Sequence, residues 1–367
     1  MNVGFLIGIY MAVCVSMLVF NLAYIFMDHR RELGRDPKRE IALIRNQMEL
    51  IGRGGVLSDD THRKLRKKLS SVRGLEKFNH AVGILREEQS DLTAKYLLCC
   101  QNDFQYLSGV YLHKNEMEQA FFARVMENNY IEDSAEYNVI KRNLVEMTKS
   151  ASVYCRENSL RALYRMGDIE AVRRAYETMS RGEIVHYGKL LTDGLLNFRG
   201  DLRELARDLW EHREEFSDEY VLAVMRFIRM SQDGFEAAFL ELLEDEEQDR
   251  EIRLEAIRYF RKYFYEPAYP VLLSIVRKRE KIDWEYVAVA ALSLGNYPGR
   301  ETISVLKEAL SSTNWYIRYN AADMLAGHFR VSYLDISDVY NGRDRYAREI
   351  LSYMMERYDL KGENGYD

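Results

Sequence analysis

Proline is scarce, with 4 residues in a chain of 367, and glycine amounts to 21. A sandwich or barrel needs a turn signal about every 8–12 residues, so this shortage of breakers excludes an all-β fold. Cysteine is equally sparse: Cys14, Cys99, Cys100 and Cys155 make no framework of spaced pairs, which argues against a disulfide-stapled domain. Seven histidines are scattered without HExxH or His-x3-His spacing, and Cys99-Cys100 has no second CxxC to complete a zinc site. That cysteine pair reads as two core thiols. GxGxxG, GxxxxGKS/T and GxSxG are all missing, so nucleotide-cradling loops and the nucleophile elbow have no support. The net charge is −6, whereas a free-standing nucleic-acid binder carries an excess of positive charge. No catalytic residue, metal or cofactor is expected on these grounds, and nucleic acid is not an expected partner.

What is present favours helices. The chain is 47% apolar and 30% charged, enough of each to fold. Leu, Glu, Arg, Ala and Met are all good helix formers and dominate the composition. The length suits two or three domains.

One stretch has no charge. Val3 to Met27 reads VGFLIGIYMAVCVSMLVFNLAYIFM, and every charged residue of the chain follows it. At about 1.5 Å per residue such a run, if helical throughout, is long enough for a ~30 Å hydrocarbon core. The residues before it include no Lys or Arg, unlike a signal peptide. Arg30, Arg31, Arg35, Lys38 and Arg39 follow it. These features predict a single-pass transmembrane anchor over 1–28, in contact with the lipid bilayer through residues 3–27. By the positive-inside rule the N-terminus faces out and the remainder is cytoplasmic. Lateral contact with a membrane protein is a further expectation.

A repeat governs the second half. An apolar, Cys or Tyr residue followed at plus four and plus eight by apolar or small residues recurs at Cys155, Tyr187, Tyr220, Ile252, Tyr286 and Ile317, with spacings of 32, 33, 32, 34 and 31. Positions zero, four and eight share one helix face, so each hit predicts one amphipathic helix. Breaks such as Met166-Gly167-Asp168, Arg199-Gly200-Asp201 and Gln232-Asp233-Gly234 follow, each leading into a second amphipathic run. The predicted unit is helix, short turn, helix, with polar joints such as Asp245-Glu246-Glu247 and Ser311-Ser312-Thr313 between units.

The stretches Tyr154 to Leu163 and Trp315 to Leu325 carry an apolar-Arg pair, small residues in mid-helix, and Leu before a Gly. In this the chain resembles the HEAT-repeat family over about 150–357. Arg253 after Ile252 fits the Arg position, while Gly188, Val221 and Val287 depart from it. The resemblance implies an all-α fold, an α-solenoid of HEAT-like helical hairpins stacked side by side. It says little about activity.

Residues 36–150 read as helical but out of phase. Asp36-Pro37 opens one helix, Gly52 to Gly55 ends it, and Ser58 caps the next. Further helices are predicted at 73–88, 91–102, 116–129 and 134–149. The organisation expected is therefore an anchor at 1–28, a juxtamembrane basic segment and helix at 29–57, an irregular helical section at 58–150, repeats at 151–357, and a polar tail at 358–367. The irregular section is either a cap on the array or a separate domain.

Second helices line the concave surface in HEAT-like proteins, and charge along them alternates here. Arg173, Arg174, Arg203 and Arg207 are followed by Glu236, Glu241 and Glu244, then by Arg277 and Lys278. Trp210 falls beside the apolar stripe of its helix. These ten residues are the candidate partner-binding set, although a solvated face accounts for such charges equally well. The expected function is a membrane-anchored, non-catalytic scaffold that docks a protein partner, as an accessory subunit of a membrane-associated complex such as a cell-envelope polysaccharide synthase. The alternative is an enzyme, because some HEAT-like proteins are alkylpurine DNA glycosylases or bilin lyases.

Overall fold

A computed structural model describes residues 10–22, 38–130, 139–182 and 184–363, and among them every regular element is helical, with no strand. The chain divides into two compact units, Met1–Ala171 and Val172–Asp367.

Unit 1 begins with α1 (10–22). It continues through α2 (Lys38–Gly52), α3 (Asp59–Leu69), α4 (Val72–Glu88), α5 (Ser90–Cys99), α6 (Gln101–Leu112), α7 (Glu116–Asn129), α8 (Val139–Met147) and α9 (Val153–Met166). The caps follow local chemistry. Ser58 accepts from Thr61 N at the start of α3, and Asn115 accepts from Glu118 N at the start of α7, each worth about 1 kcal/mol against alanine. Helix α9 ends at Gly167, whose φ of 68° lies in the left-handed region that favours glycine. The 91–102 stretch, predicted as one helix, is broken at Cys100 into α5 and α6, which runs on to Leu112. The predicted 134–149 helix is seen as α8 over Val139–Met147, and its first residues, 134–138, lie outside the described residues, as do the Asp36-Pro37 start and the end of the polar tail.

The transmembrane expectation is overturned. Among the described residues no helix is long and apolar enough to cross a membrane. Helix α1 is described over 10–22. The rest of the charge-free run, 3–9 and 23–27, lies outside the described residues. The single-pass anchor, the N-out orientation, the bilayer contact and the lateral membrane contact therefore lose the element on which they were built.

Unit 2 takes most of α10 (Ile169–Ser180), within which the boundary falls, and continues through α11 (Gly188–Leu196), α12 (Leu202–Glu211), α13 (Asp218–Ser231), α14 (Glu236–Glu244), α15 (Arg250–Phe260) and α16 (Ala268–Arg277). Then come α17 (Trp284–Ser293), α18 (Arg300–Ala309), α19 (Trp315–Asp323), α20 (Ser337–Asn341) and α21 (Arg345–Glu363). The odd-numbered helices pack in series, α11 on α13, α13 on α15, α15 on α17, α17 on α19 and α19 on α21. Each even-numbered helix from α12 to α18 packs on the odd one that follows it. This succession is compatible with an α-solenoid.

The predicted core phase holds closely. All plus-four residues (Ser159, Leu191, Val224, Ala256, Ala290, Ala321) and all plus-eight residues (Leu163, Leu195, Ile228, Phe260, Leu294, Leu325) are buried. Small side chains at four of the plus-four positions (Ser159, Ala256, Ala290, Ala321) let neighbouring helices approach, and bulky ones at plus eight fill the layer. Tyr187 departs from the phase and is exposed, because it is the N-cap of α11 and not part of the helix. The polar joints supply caps: Asp249, Asp283 and Asn314 accept from the first N–H groups of α15, α17 and α19.

Candidate functional site

The predicted partner-binding residues meet three different fates. Arg203 and Arg207 lie one turn apart on α12, whose N-terminus is fixed by Asp201 accepting from Arg203 N and Glu204 N. With Trp210, Glu211, Asp233, Phe235 and Glu236 they line a groove of about 740 Å³ between α12 and the start of α14. Arg203 pairs with Asp233 across it at 2.9 Å, and Arg207 has no ion-pair partner among the described residues. Glu236 is turned back onto the fold, accepting from Gly234 N at 3.0 Å and from the Tyr259 hydroxyl at 3.4 Å.

A second group serves the fold. Arg173 Nη1 donates to Glu177 Oε1 at 2.8 Å, and its Nε lies 3.1 Å from Asp208 Oδ2. Burial raises the Asp208 carboxyl above its ordinary range, and Arg173 opposes that rise. Trp210 is 9% exposed, stacked on Phe239 with centroids 5.3 Å apart, with the Arg213 guanidinium 4.7 Å above its ring. Stacking continues from Phe239 to Tyr259 at 4.2 Å, so Trp210 begins an aromatic core chain and presents only its edge to the groove.

The third group is exposed and spread out. Arg174, Glu241, Glu244, Arg277 and Lys278 all face solvent. Arg277 pairs with Glu301 of α18 at 2.7 Å. The structure thus brings Arg203, Arg207, Trp210 and Glu236 to one groove, with Glu241, Glu244, Arg277 and Lys278 outside it.

Sequence reasoning missed a cavity in unit 1. About 830 Å³ of space lies between α3 and the α5–α6 junction, lined by Asp59, His62, Arg63, Arg66, Lys67 and Ser70 from one face of α3, and by Cys99, Asn102 and Tyr106. Beneath it Asp103 is fully buried, with His62 Nδ1 at 2.6 Å from Oδ2 and Arg66 Nε donating to Oδ1 at 2.6 Å. The Arg66 guanidinium also sits 5.2 Å over the Tyr106 ring. The signal was available in the run His62-Arg63-Lys64-Leu65-Arg66-Lys67-Lys68. It was passed over because helix phase alone does not say which of those cations are neutralised. Cys99 corrects the core-thiol reading: Cys100 is buried and its thiol is pushed up to about 12 by burial, but Cys99 is exposed.

No protein-family model matches this chain, and no curated protein matches it either.

Proposed function

We propose that the protein is a non-catalytic helical-repeat scaffold of HEAT type, whose unit 2 docks a protein partner along α12 and α14 and onward to the C-terminal end of α16. The observation that carries this reading is the groove at Arg203, Arg207, Asp233 and Phe235, where an arginine without an ion-pair partner stands beside half-buried aromatic surface. Desolvated aromatic edges flanked by charge are the usual composition of a protein-binding patch. Opposed charges along successive helices fix the register of a docked chain. Basic Arg203 and Arg207, acidic Glu241 and Glu244, then basic Arg277 and Lys278 supply such a sequence along the exposed face. Arg173 drops out of the docking set, because its charge is spent on Glu177 and Asp208.

The test is quantitative recovery of cross-linked partners on the intact chain against Arg203→Glu/Arg207→Glu. The expected result is a loss of about tenfold or more, the scale of one or two charge contacts. Equal recovery of every partner by both forms counts against the reading.

A further inference from the structure

Five cations are crowded onto α3 within six positions: Arg63, Lys64, Arg66, Lys67 and Lys68. Like charges three or four positions apart on a helix repel, by a few tenths of a kcal/mol per pair. The fold answers this selectively. Lys64 pairs with Asp60 at 2.6 Å, Lys68 with the buried Glu40, and Arg66 with the buried Asp103 at 2.6 Å. Arg63 and Lys67 have no ion-pair partner among the described residues, and these two both line the unit 1 cavity, which Lys64 and Lys68 do not. Of the three cations that line the cavity, Arg66 is paired from beneath by Asp103, and Arg63 and Lys67 are left over.

The remaining lining suits an anion with several oxygens. Arg66 spends its Nε on Asp103 and sits over Tyr106, which fixes its guanidinium plane beside the cavity. Asn102 adds an amide and Tyr106 a hydroxyl to the same wall. One carboxylate, Asp59, stands in the lining at the start of α3, and Asp103 lies below it already engaged. Arg63, Arg66 and Lys67 outnumber these two acids, and the volume is in the range of small-molecule sites.

We propose that this cavity binds the phosphoryl group of a phosphorylated small molecule, with Arg63 and Lys67 as its counter-charges and Arg66, held by Asp103, as a positioned donor. Arginine and lysine together favour a tetrahedral oxyanion with more than one charge, because the fork of the one and the point charge of the other reach different oxygens. This site is in unit 1 and is independent of the docking reading for unit 2.

The probe is inorganic pyrophosphate, titrated calorimetrically into the full chain at about 0.15 M ionic strength, where the screening length is about 8 Å. Saturable binding is expected, and Arg63→Gln/Lys67→Gln weakens it by about tenfold or more, the scale of one charge-assisted contact. The charge-matched control Lys64→Gln/Lys95→Gln stays within about twofold, since screening dilutes charges outside the site. Cys99 gives a second readout that survives weak binding. It lines the cavity and is exposed, so pyrophosphate slows its alkylation, followed by peptide mass, in the wild type and not in Arg63→Gln/Lys67→Gln. Far-UV circular dichroism and melting confirm that both variants fold. Flotation with phosphatidylcholine vesicles, with and without phosphatidic acid, separates the two sources of a phosphoryl group. Binding to the acidic vesicles alone, lost in Arg63→Gln/Lys67→Gln, keeps the chemistry and assigns it to a lipid headgroup. No saturable binding to either probe, or equal losses in both double variants, overturns the proposal.

Discussion

The two units join their helices by side-chain hydrogen bonds of different reach along the chain. In unit 2 the recurring separations are short and uniform: 31 for Thr192 to Ala223, 32 for Asn320 to Ala288, 33 for Tyr269 to Thr302, and 36 for Asn296 to Phe260. In unit 1 they scatter, from 27 for Lys141 to Asp168 and 35 for Asn143 to Ser108, through 41 for His62 to Asp103, to 50 for Asn129 to Asn79. The same device operates in both, a polar side chain reaching back to a neighbouring layer. Asn296 Nδ2 donating to the carbonyl of Phe260, the last residue of α15, satisfies one of the orphan acceptors of a helix end. Only the length of chain per layer differs. Unit 2 repeats one layer from α11 to α19, and only its last two helices, the 5-residue α20 and the 19-residue α21, break the pattern.

A layer that touches only its neighbours should fail locally. Phe260 is fully buried at a plus-eight position, its ring edge-on to Tyr259 at 5.8 Å. Phe260→Ala is expected to cost about 3–5 kcal/mol through the cavity it leaves. In a stacked array the damage falls on adjacent layers first. Hydrogen exchange should therefore lose protection in α13, α15 and α17, with α3 to α6 unaffected. Equal loss in α3 to α6 would break the comparison, because the two units would then melt as one.

Legibility in the sequence follows the same divide. The 32-residue phase could be read from Cys155 to Ile317 because each layer puts an apolar or small residue at plus four and a bulky one at plus eight, and the structure buries all twelve. No such phase exists before α9, so α6 was half missed and the α3 cavity was not anticipated. Charge was the less legible property throughout. Arg173 and Arg207 look alike in sequence, one turn beyond the start of an even-numbered helix, yet one lies against the partly buried Asp208 and the other faces a groove. Which acid a cation meets is decided by the neighbouring layer, and helix periodicity carries no information about it. Trp210 was judged by its own helix stripe, whereas Phe239 of the next layer is what buries it.

Acid should sharpen the contrast by a smaller amount. Two carboxyls of unit 2 are held below their ordinary range at the joints between helices. Glu280 is held there chiefly by the Thr313 hydroxyl, then by Ser312 and Thr313 N, and Asp283 by Arg250, then by Glu285 N. A carboxyl with a lowered folded pKa binds its proton less readily in the fold than in the unfolded chain. Its stabilisation is therefore present above the ordinary values, 4.5 for Glu and 3.8 for Asp, and is lost as pH falls through them. On acidification from about pH 6 to about pH 3, amides at the start of α19 should lose protection. Glu280→Gln should flatten that dependence, weakening the Ser312-Thr313 joint at pH 6 with little further effect at pH 3. A joint that remains equally acid-sensitive without Glu280 would show that another group carries the transition.

The smallest stability effect is expected where the functional effect is largest. Arg207 is exposed and has no ion-pair partner among the described residues. Arg207→Glu should therefore leave unfolding in urea within about 0.5 kcal/mol of wild type, as surface changes away from caps and buried pairs do. Arg203 makes an exposed pair with Asp233, worth about 0.2–1 kcal/mol by double-mutant cycle. If Arg207→Glu destabilises the chain by more than Arg203→Glu does, Arg207 is a packing residue and the groove loses its spare cation. If it does not, weaker partner recovery in the Arg203→Glu/Arg207→Glu protein reports the charge of the docking face, because the layers beneath that face still stand.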